Sequence, residues 1–288
     1  MQLLSIIVLY NCKLEDSKTL ISLVNNYHEN PLAFEKFKLI IYDNSLNYQS
    51  INITIPFQFE YIHDPSNKGL AAAYNYALND AINESIGWLL LMDQDSCVPR
   101  DFIDTLMLNI AEIQNTNSVI AVVPKVRSKN KFISPARVFF GGARRPINMR
   151  HRGVYKYSVH PIGSGSVIRV SFLQNIEGFN ELFWMDSLDR WLFHTIETMG
   201  GQVFVSDSII DHELSTMDFD KFVSKTRYFN IMKYETIFMT TYKSRMEIYI
   251  YYLRLLKRCI YLFFTVSNKI YSKMTFQHLL SLFILRQK

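Results

Sequence analysis

Short apolar runs alternate with amphipathic segments along the first half of the chain. Short runs predict buried strands, and apolar residues that recur every three or four positions predict helices. Their alternation predicts an α/β fold with a mixed, mostly parallel sheet and helices on both faces. The predicted strands cover 4–9, 39–42, 57–62, 88–92 and 119–123, and Pro124 stops the last of them. A first helix is predicted after Asp16 or Ser17, and two more are predicted over 70–82 and 102–113.

The second half of the chain is less regular. Residues 125–152 are basic and contain Gly141-Gly142, which predicts irregular or short antiparallel structure. Beyond residue 219 the pattern is helical and aromatic, so we predict one domain over 1–215 and a helical region over 216–288. Between them we predict a strand over 167–170, a helix over 186–199 and a strand over 203–205 that leads to Asp207, Asp211 and His212.

Charge is distributed unevenly in this chain of 288 residues with a formal charge of +5. Glu247 is the last acidic residue, and seven lysines and arginines follow it. Such asymmetry indicates an anionic partner, either a nucleic acid or a membrane surface. On a helical wheel the tail has an apolar surface and one mostly basic stripe, which favours a helix lying on anionic lipid over a buried helix pair with a solvated edge. The stripe consists of Arg254, Lys257, Arg258, Thr265, Lys269 and Lys273.

Membrane insertion and disulfide bonding are not predicted. The longest apolar run of the tail, 260–264, is far shorter than the ~20 residues that span a bilayer. Cys12, Cys97 and Cys259 are odd in number and far apart, as is typical of reduced thiols. We therefore expect a cytoplasmic protein that binds peripherally to the inner face of the cell membrane.

Asp93 and Asp95 follow a predicted strand directly. Residues i and i+2 of an extended chain point the same way, so both carboxylates can face one site. A divalent cation is the usual reason to hold like charges together, although Asp and Ser also form ordinary turns. Both interpretations stay open from these residues alone.

Four short motifs occur in a fixed order, each at the end of a predicted strand. Because these motifs occur in this order, the chain resembles the family-2 glycosyltransferases, which are inverting enzymes of the GT-A fold that use nucleotide-sugar donors. The likeness runs over about 4–212, and the Asp-Gln-Asp-Ser form resembles the bacterial rhamnosyltransferase branch. The motifs are Ser5-Ile6-Ile7-Val8-Leu9-Tyr10-Asn11, Tyr42-Asp43-Asn44-Ser45, Asn67-Lys68-Gly69-Leu70-Ala71-Ala72-Ala73-Tyr74-Asn75 and Asp93-Gln94-Asp95-Ser96.

The resemblance implies a metal site. Asp95 would bind the ion, Asp93 would support the ribose or the water shell of the metal, and His212 would complete the site. Oxygen ligands beside a diphosphate suit Mg²⁺ or Mn²⁺, and an imidazole ligand favours Mn²⁺. The alternative for His212 is a hydrogen-bonded loop histidine.

Nucleotide-sugar binding is implied for a further set of residues, each with a structural alternative. The ring of Tyr10 would flank the nucleobase beside Asn11, or Tyr10 is an ordinary core tyrosine. Asp43 would accept from the base, or it caps a turn. Lys68 and Gly69 would meet phosphate at a helix N-terminus, or they form a plain turn before that helix. Ser164 would lie beneath donor and acceptor, or it starts a flexible hairpin.

Asp189 matches the family's catalytic base, and Asp186 is its acidic neighbour. An inverting transferase needs a carboxylate that removes the proton of the acceptor hydroxyl. Arg190-Trp191 departs from the family pattern, which has an acid two residues after the base, so the choice between the two aspartates stays open. Arg190 is included with the residues that would bind the nucleotide sugar, and it could also engage the acceptor. The alternative is that both are acids favoured by the helix N-terminus.

The resemblance implies transfer of rhamnose from dTDP-rhamnose, or of galactofuranose or another hexose from a UDP donor. The acceptor would be a glycan on a polyprenyl diphosphate in bacterial capsule or O-antigen assembly, and a homodimer is compatible with the aromatic tail. A basic nucleic-acid-binding protein and a membrane scaffold are the alternatives from other classes.

Overall fold

The structure of the chain is a computed structural model that describes residues 2–212 and 224–285. The chain divides into two compact units, which are described separately. The first unit comprises Met1–Arg137 and Arg145–Glu213, and the second comprises Val138–Arg144 and Leu214–Lys288. The predicted boundary at 215/216, the predicted start of helical structure at Phe219, and Arg286 and Lys288 lie outside the described residues.

The described strands form a sheet of ten and a separate pair, and five helices accompany them. The strands are β1 Leu3–Leu9, β2 Phe37–Asp43, β3 Phe59–His63, β4 Trp88–Asp93, β5 Ser96–Cys97, β6 Val119–Ser128, β7 Lys131–Ser134, β8 Ala136–Val138, β9 Arg144–Pro146, β10 Gly153–Val154, β11 Ser166–Arg169 and β12 Gln202–His212. The helices are α1 Lys18–Glu29, α2 Leu70–Asn83, α3 Phe102–Ile113, α4 Val170–Asn175 and α5 Leu188–Thr198.

The main sheet is mixed and mostly parallel, as predicted. Its order is β10-β12-β6-β11-β4-β1-β2-β3, with β5 paired to β12 and β7 to β6. The pairs of β1 with β2 and β4, of β2 with β3 and of β6 with β12 are parallel, whereas β11 is antiparallel to β4 and β6. The carboxyl ends of the parallel strands therefore meet the start of β11 at one edge, where open α/β sheets bind ligands.

Both faces of the sheet are buried. Leu3 and Ile7 of β1 point to one face, where α1 and α3 complete a hydrophobic core. Leu4 and Ile6 alternate with them onto the other face and are also fully buried, and α2 packs there against β1 and β4. The prediction of helices on both faces is confirmed.

Several predicted element bounds differ from the structure, and β6 and β12 differ the most. β6 continues through Pro124 to Ser128, because a register shift between Val205 and Ile209 of its partner β12 falls opposite the proline, which has no N–H to donate. β12 correspondingly extends past 203–205, so His212 lies at the end of a strand rather than in a loop. The helix predicted from 186 begins at Leu188, after Ser187 in a left-handed conformation with φ of 67°.

The second unit is helical, with α6 Lys225–Tyr242, α7 Arg245–Thr265 and α8 Ile270–Leu285. None of the described helices is both long and apolar enough to cross a bilayer. A core cluster joins the three helices around Tyr228 of α6, Leu262 of α7 and Tyr271 of α8. The predicted basic stripe is wrong at Arg258, whose Nη1 lies 2.9 Å from Oε2 of the buried Glu235. An isolated buried carboxylate is costly, so the arginine turns inward to pair with it.

Candidate functional site

The two predicted metal-binding aspartates and His212 come together at the carboxyl edge of the sheet. Asp93 ends β4, Asp95 follows it, and His212 ends β12. One potential ligand atom from each lies within 4.8 Å of those of the other two, and His212 Nδ1 is 3.4 Å from Asp95 Oδ1. Two carboxylates and an imidazole at this separation fit a divalent cation such as Mn²⁺ or Mg²⁺.

Ser96 connects the aspartate turn to the histidine. It pairs with His212 where β5 meets β12, and its Oγ lies 2.9 Å from His212 Nδ1. The same Oγ lies 2.8 Å from Oγ of Ser164, which accepts a hydrogen bond from the Asp93 backbone N–H at 3.0 Å. Ser96 and Ser164 are both buried, so this hydroxyl pair fixes the positions of three strand ends relative to one another.

The start of α1 holds the other side of the aspartate turn. Thr19 is fully buried, and its Oγ1 lies 2.5 Å from the carbonyl oxygen of Asp93 and 2.9 Å from that of Ser96. It also accepts from the Ser96 N–H at 3.0 Å. The Gln94 carbonyl accepts from Ser17 Oγ and from the Thr19 N–H. The sequence indicated only Asp16 or Ser17 here, as a possible helix cap, so Thr19 was missed, and Gln94 had no role of its own within its motif.

Tyr10 and Asn11 extend from β1 beside this turn. Both are exposed, so Tyr10 is not a core tyrosine. The Tyr10 N–H donates to Gln94 Oε1 at 2.8 Å, and the Asn11 N–H donates to Ser45 Oγ at 2.9 Å. Asn11 has a φ of 49°, a left-handed conformation that asparagine tolerates better than most residues. The backbone bonds leave the tyrosine ring directed to solvent at the site, where a planar ligand could stack on it.

Asp43 ends β2 and is fully buried. Its carboxylate accepts from the Ser45 N–H at 2.9 Å, from Gln49 Nε2 at 2.6 Å and from the Tyr61 hydroxyl at 2.7 Å. Burial raises the pKa of this carboxyl, but the hydrogen bonds from Gln49, Ser45 and Tyr61 outweigh it and hold the pKa below its ordinary value. A carboxylate offers about four acceptor positions, and these hydrogen bonds together with a further one from the Ser45 side chain occupy them. Base recognition by Asp43 stays a prediction.

Gly69 packs directly against Trp184. A Cβ at this position would collide with the Trp184 ring and lie 2.5 Å from the Trp184 carbonyl oxygen, and φ is 92°. Trp184 also donates from Nε1 to the Asn67 carbonyl at 3.1 Å and accepts from the Leu70 N–H at 2.7 Å. The close approach that Gly69 permits is thus to Trp184, while Lys68 is exposed beside it. Phosphate binding by the two residues stays a prediction.

The loop before β11 brings Asp189 to the metal-binding residues. Ser164 contacts the aspartate turn, and a Cβ at the preceding Gly163 would lie 3.7 Å from Asp189 Cβ. Asp189 is in the first turn of α5, partly exposed, and its Oδ1 accepts from the Arg190 N–H at 2.6 Å. Burial and the negative charges of Asp93 and Asp189 raise the pKa of Tyr74 well above its ordinary value, so both carboxylates lie near this buried side chain.

Asp186 lies just before α5, after Trp184 and before the left-handed Ser187. Asp186 and Arg190 are both partly buried. The structure therefore gathers the predicted site residues along one edge of the first unit, from the strand ends to the start of α5. The supporting residues that the sequence did not single out are Thr19, Gln49, Tyr61 and Trp184. Ser45, Gln94 and Ser96 lie in the quoted motifs, where they had no role of their own.

Comparisons with known proteins bear on this arrangement. The family model described as Glycosyl transferase family 2 matches residues 5–177, which is more than half of the chain. No curated protein matches the sequence.

Three solved structures with a similar fold are distant in sequence. The crystal structure of S. aureus TarS has 14% identity and a TM-score of 0.54, over 93% of this chain and 45% of that one, so the chain spans less than half of TarS. TarS 1-349 in complex with UDP-GlcNAc has 14% identity and a TM-score of 0.57, over 96% and 79%. Mannosyltransferase PcManGT from Pyrobaculum calidifontis, in complex with GDP-Man and Mn²⁺, has 14% identity and a TM-score of 0.51, over 97% and 74%. At these identities the likeness shows the fold.

Proposed function

Because this chain belongs to glycosyl transferase family 2, we propose that it transfers a sugar from a nucleotide-sugar donor to an acceptor hydroxyl, with inversion at the transferred carbon. The observation that carries the proposal is the convergence of Asp93, Asp95 and His212 with the Asp189 carboxylate around one loop. A donor-binding cation site and a base beside it are what an inverting transfer requires. The same carboxylates disfavour a nucleic-acid site, because they would repel phosphates.

Asp95, Asp93 and His212 are the residues that would hold a divalent cation. A cation held there supplies positive charge where a nucleoside diphosphate leaves. Tyr10 offers a ring for the base, and Lys68 offers a positive charge at the start of α2 for the diphosphate. Asp43 would accept from the base in place of one of its protein donors.

Asp189 accepts the proton of the acceptor hydroxyl in this proposal. Its carboxylate is in the first turn of α5, and it borders the loop that contacts Asp93. Asp186 and Arg190 would orient the acceptor on either side of it. The competing assignment exchanges the roles of Asp186 and Asp189.

For the donor we propose dTDP-rhamnose first and UDP-galactofuranose or another UDP-hexose second, since the Asp-Gln-Asp-Ser motif resembles the rhamnosyltransferase branch. TarS 1-349 binds UDP-GlcNAc and PcManGT binds GDP-Man, so both donors belong in any panel. The acceptor is a glycan on a polyprenyl diphosphate at the inner face of the cell membrane, in assembly of a bacterial surface polysaccharide. The basic helical region supports this choice.

The experiment measures thermal shift and donor hydrolysis across this panel with Mn²⁺, with Mg²⁺ and with a chelator. We expect one donor to stabilise the protein in a metal-dependent way and Asp95→Asn to remove that effect. Asp101→Asn is the matched control, because Asp101 is an exposed aspartate outside the site. A chelator-insensitive response, or an equal loss in both variants, would refute the metal site.

The base assignment needs a separate readout. Asp189→Asn should abolish transfer to an acceptor while the donor still stabilises the protein, because the substitution leaves the cation site in place. If Asp186→Asn abolishes transfer and Asp189→Asn does not, the roles of the two aspartates are the reverse of those proposed.

A further inference from the structure

The outward side of α7 is apolar along most of its length, with the exposed Lys257 among its side chains. Its exposed large side chains recur every three or four residues, so they lie on one side of the helix. On the opposite side, Tyr251, Leu255 and Leu262 are buried. The exposed set, which we call the outward face, comprises Met246, Tyr249, Leu253, Leu256, Ile260, Tyr261, Phe263 and Phe264.

A second aromatic element of the same unit widens the apolar surface. Phe139 and Phe140 are exposed in the segment Val138–Arg144, which belongs to the helical unit and packs against α7. The contact is close, since a Cβ at Gly142 would lie 2.6 Å from Arg254 Nη1. Exposed apolar residues are normal singly, whereas a set along one helix, with two more on a segment that packs against it, marks an interaction site.

The charges around the outward face have one sign. Among the described side chains of α7 and α8, the exposed charged groups are Arg245, Lys257 and Lys273, all basic. Glu247 is partly buried and caps α7 through Ser244, and Glu235 of α6 is buried against Arg258. The surface is therefore complementary to a negatively charged partner.

We propose that the outward face of α7, with Phe139 and Phe140, docks the protein on the surface of an anionic bilayer. An amphipathic helix with aromatic and aliphatic side chains on one side and lysine or arginine beside them lies in the headgroup plane. Charged groups along α7 fit a helix that lies on the bilayer better than one that crosses it. A second copy of this chain fits less well, because it would bring the same positive charges against this face.

This inference deepens the proposed function by naming the surface that meets the membrane, and it rests on that function only for the lipid-linked acceptor. It replaces the basic stripe predicted from the sequence with an apolar face flanked by cations. Docking by this face would hold the enzyme where a polyprenyl-linked glycan is found.

The test is flotation of the full chain with vesicles made of equal parts phosphatidylcholine and phosphatidylglycerol, and with phosphatidylcholine alone. We expect flotation with the anionic vesicles to exceed that with the neutral ones and to weaken at high salt. The double variant Leu253→Ser, Phe264→Ser should lower vesicle binding about tenfold or more, because it removes the favourable free energy of burying two apolar side chains in the bilayer. These residues are 66% and 77% exposed, so folding should be unaffected.

The matched control is the double variant Leu32→Ser, Leu108→Ser, which removes leucines that are 74% and 70% exposed in the first unit. Equal flotation of both double variants, or no flotation of the unsubstituted chain, overturns the proposal. So does a dimer in solution, detected by light scattering, that only the α7 variant dissociates, since the occupant would then be a second copy. Thermal shift by donor and Mn²⁺ should be unchanged in the α7 variant, so loss of docking and failure of the transferase assignment are distinguishable.

Discussion

Removal of one buried hydroxyl, in Thr19→Val, should weaken metal binding although no metal-binding side chain is replaced. Thr19 Oγ1 lies within hydrogen-bond distance of the Asp93 carbonyl, the Ser96 carbonyl and the Ser96 N–H. Valine has nearly the same shape but cannot form any of these bonds. The turn that presents Asp93 and Asp95 would lose its connection to the side chain at the start of α1.

The size of the effect follows from the hydrogen-bond count. A hydroxyl has one proton, so Thr19 donates to one of the two carbonyls at a time and accepts from the Ser96 N–H. Two hydrogen bonds at about 0.5–1.5 kcal/mol each give a loss of about 1–3 kcal/mol in the free energy of unfolding. Loss of a residue that orients metal ligands typically weakens metal affinity by about 10–100-fold, so we expect Thr19→Val to weaken Mn²⁺ binding within that range.

Two measurements check this expectation. Urea unfolding followed by circular dichroism gives the stability change, and titration calorimetry with Mn²⁺ and a nucleoside diphosphate gives the affinity. Thr19→Ser is the control, since it keeps the hydroxyl and loses only the methyl group. If Thr19→Val binds Mn²⁺ as tightly as Thr19→Ser does, the hydroxyl does not position the aspartate turn and the reasoning is wrong.

Three further predictions concern the rest of the site. Tyr61→Phe removes a hydrogen bond to Asp43, whose pKa is lower in the folded than in the unfolded chain. This carboxylate stabilises the fold above its unfolded pKa, and in the variant that stabilisation should be lost at less acidic pH than in the unsubstituted chain. Thermal midpoints measured between about pH 6 and pH 2 would show the difference. Gly69→Ala should cost about 3 kcal/mol in urea unfolding, because its Cβ meets Trp184 at positive φ. A chelator should abolish the thermal shift by donor in the unsubstituted chain and change nothing in Asp95→Asn.

The strand ends were predictable because local patterns encode them. A buried run followed by Asp93-Gln94-Asp95 identifies both a strand and its exposed end, and the order of motifs identified the family. His212 was found through the resemblance, although the strand that carries it was predicted too short. Pro124 misled the prediction because a proline is tolerated at a bulge, and a bulge depends on the partner strand.

The supporting residues could not be predicted in the same way. Thr19 lies 74 residues from Asp93 in the sequence, and nothing local distinguishes it from other threonines in a first helical turn. Arg258 looked like part of a solvated stripe because its partner Glu235 lies on another helix. Ion pairs and hydroxyl bonds between elements depend on the packing of the whole fold, which periodicity along one element does not contain.

One loop therefore connects the two halves of the proposed chemistry. Ser164 bonds to the Asp93 N–H and pairs with Ser96, which reaches His212, while the neighbouring Gly163 faces Asp189. Small side chains are needed there, since a bulky one would separate α5 from the aspartate turn. A change in this loop should alter cation binding and acceptor deprotonation together, whereas a change at Thr19 should act on cation binding first. In the proposed chemistry, this loop would therefore couple cation binding, which serves the donor, to deprotonation of the acceptor.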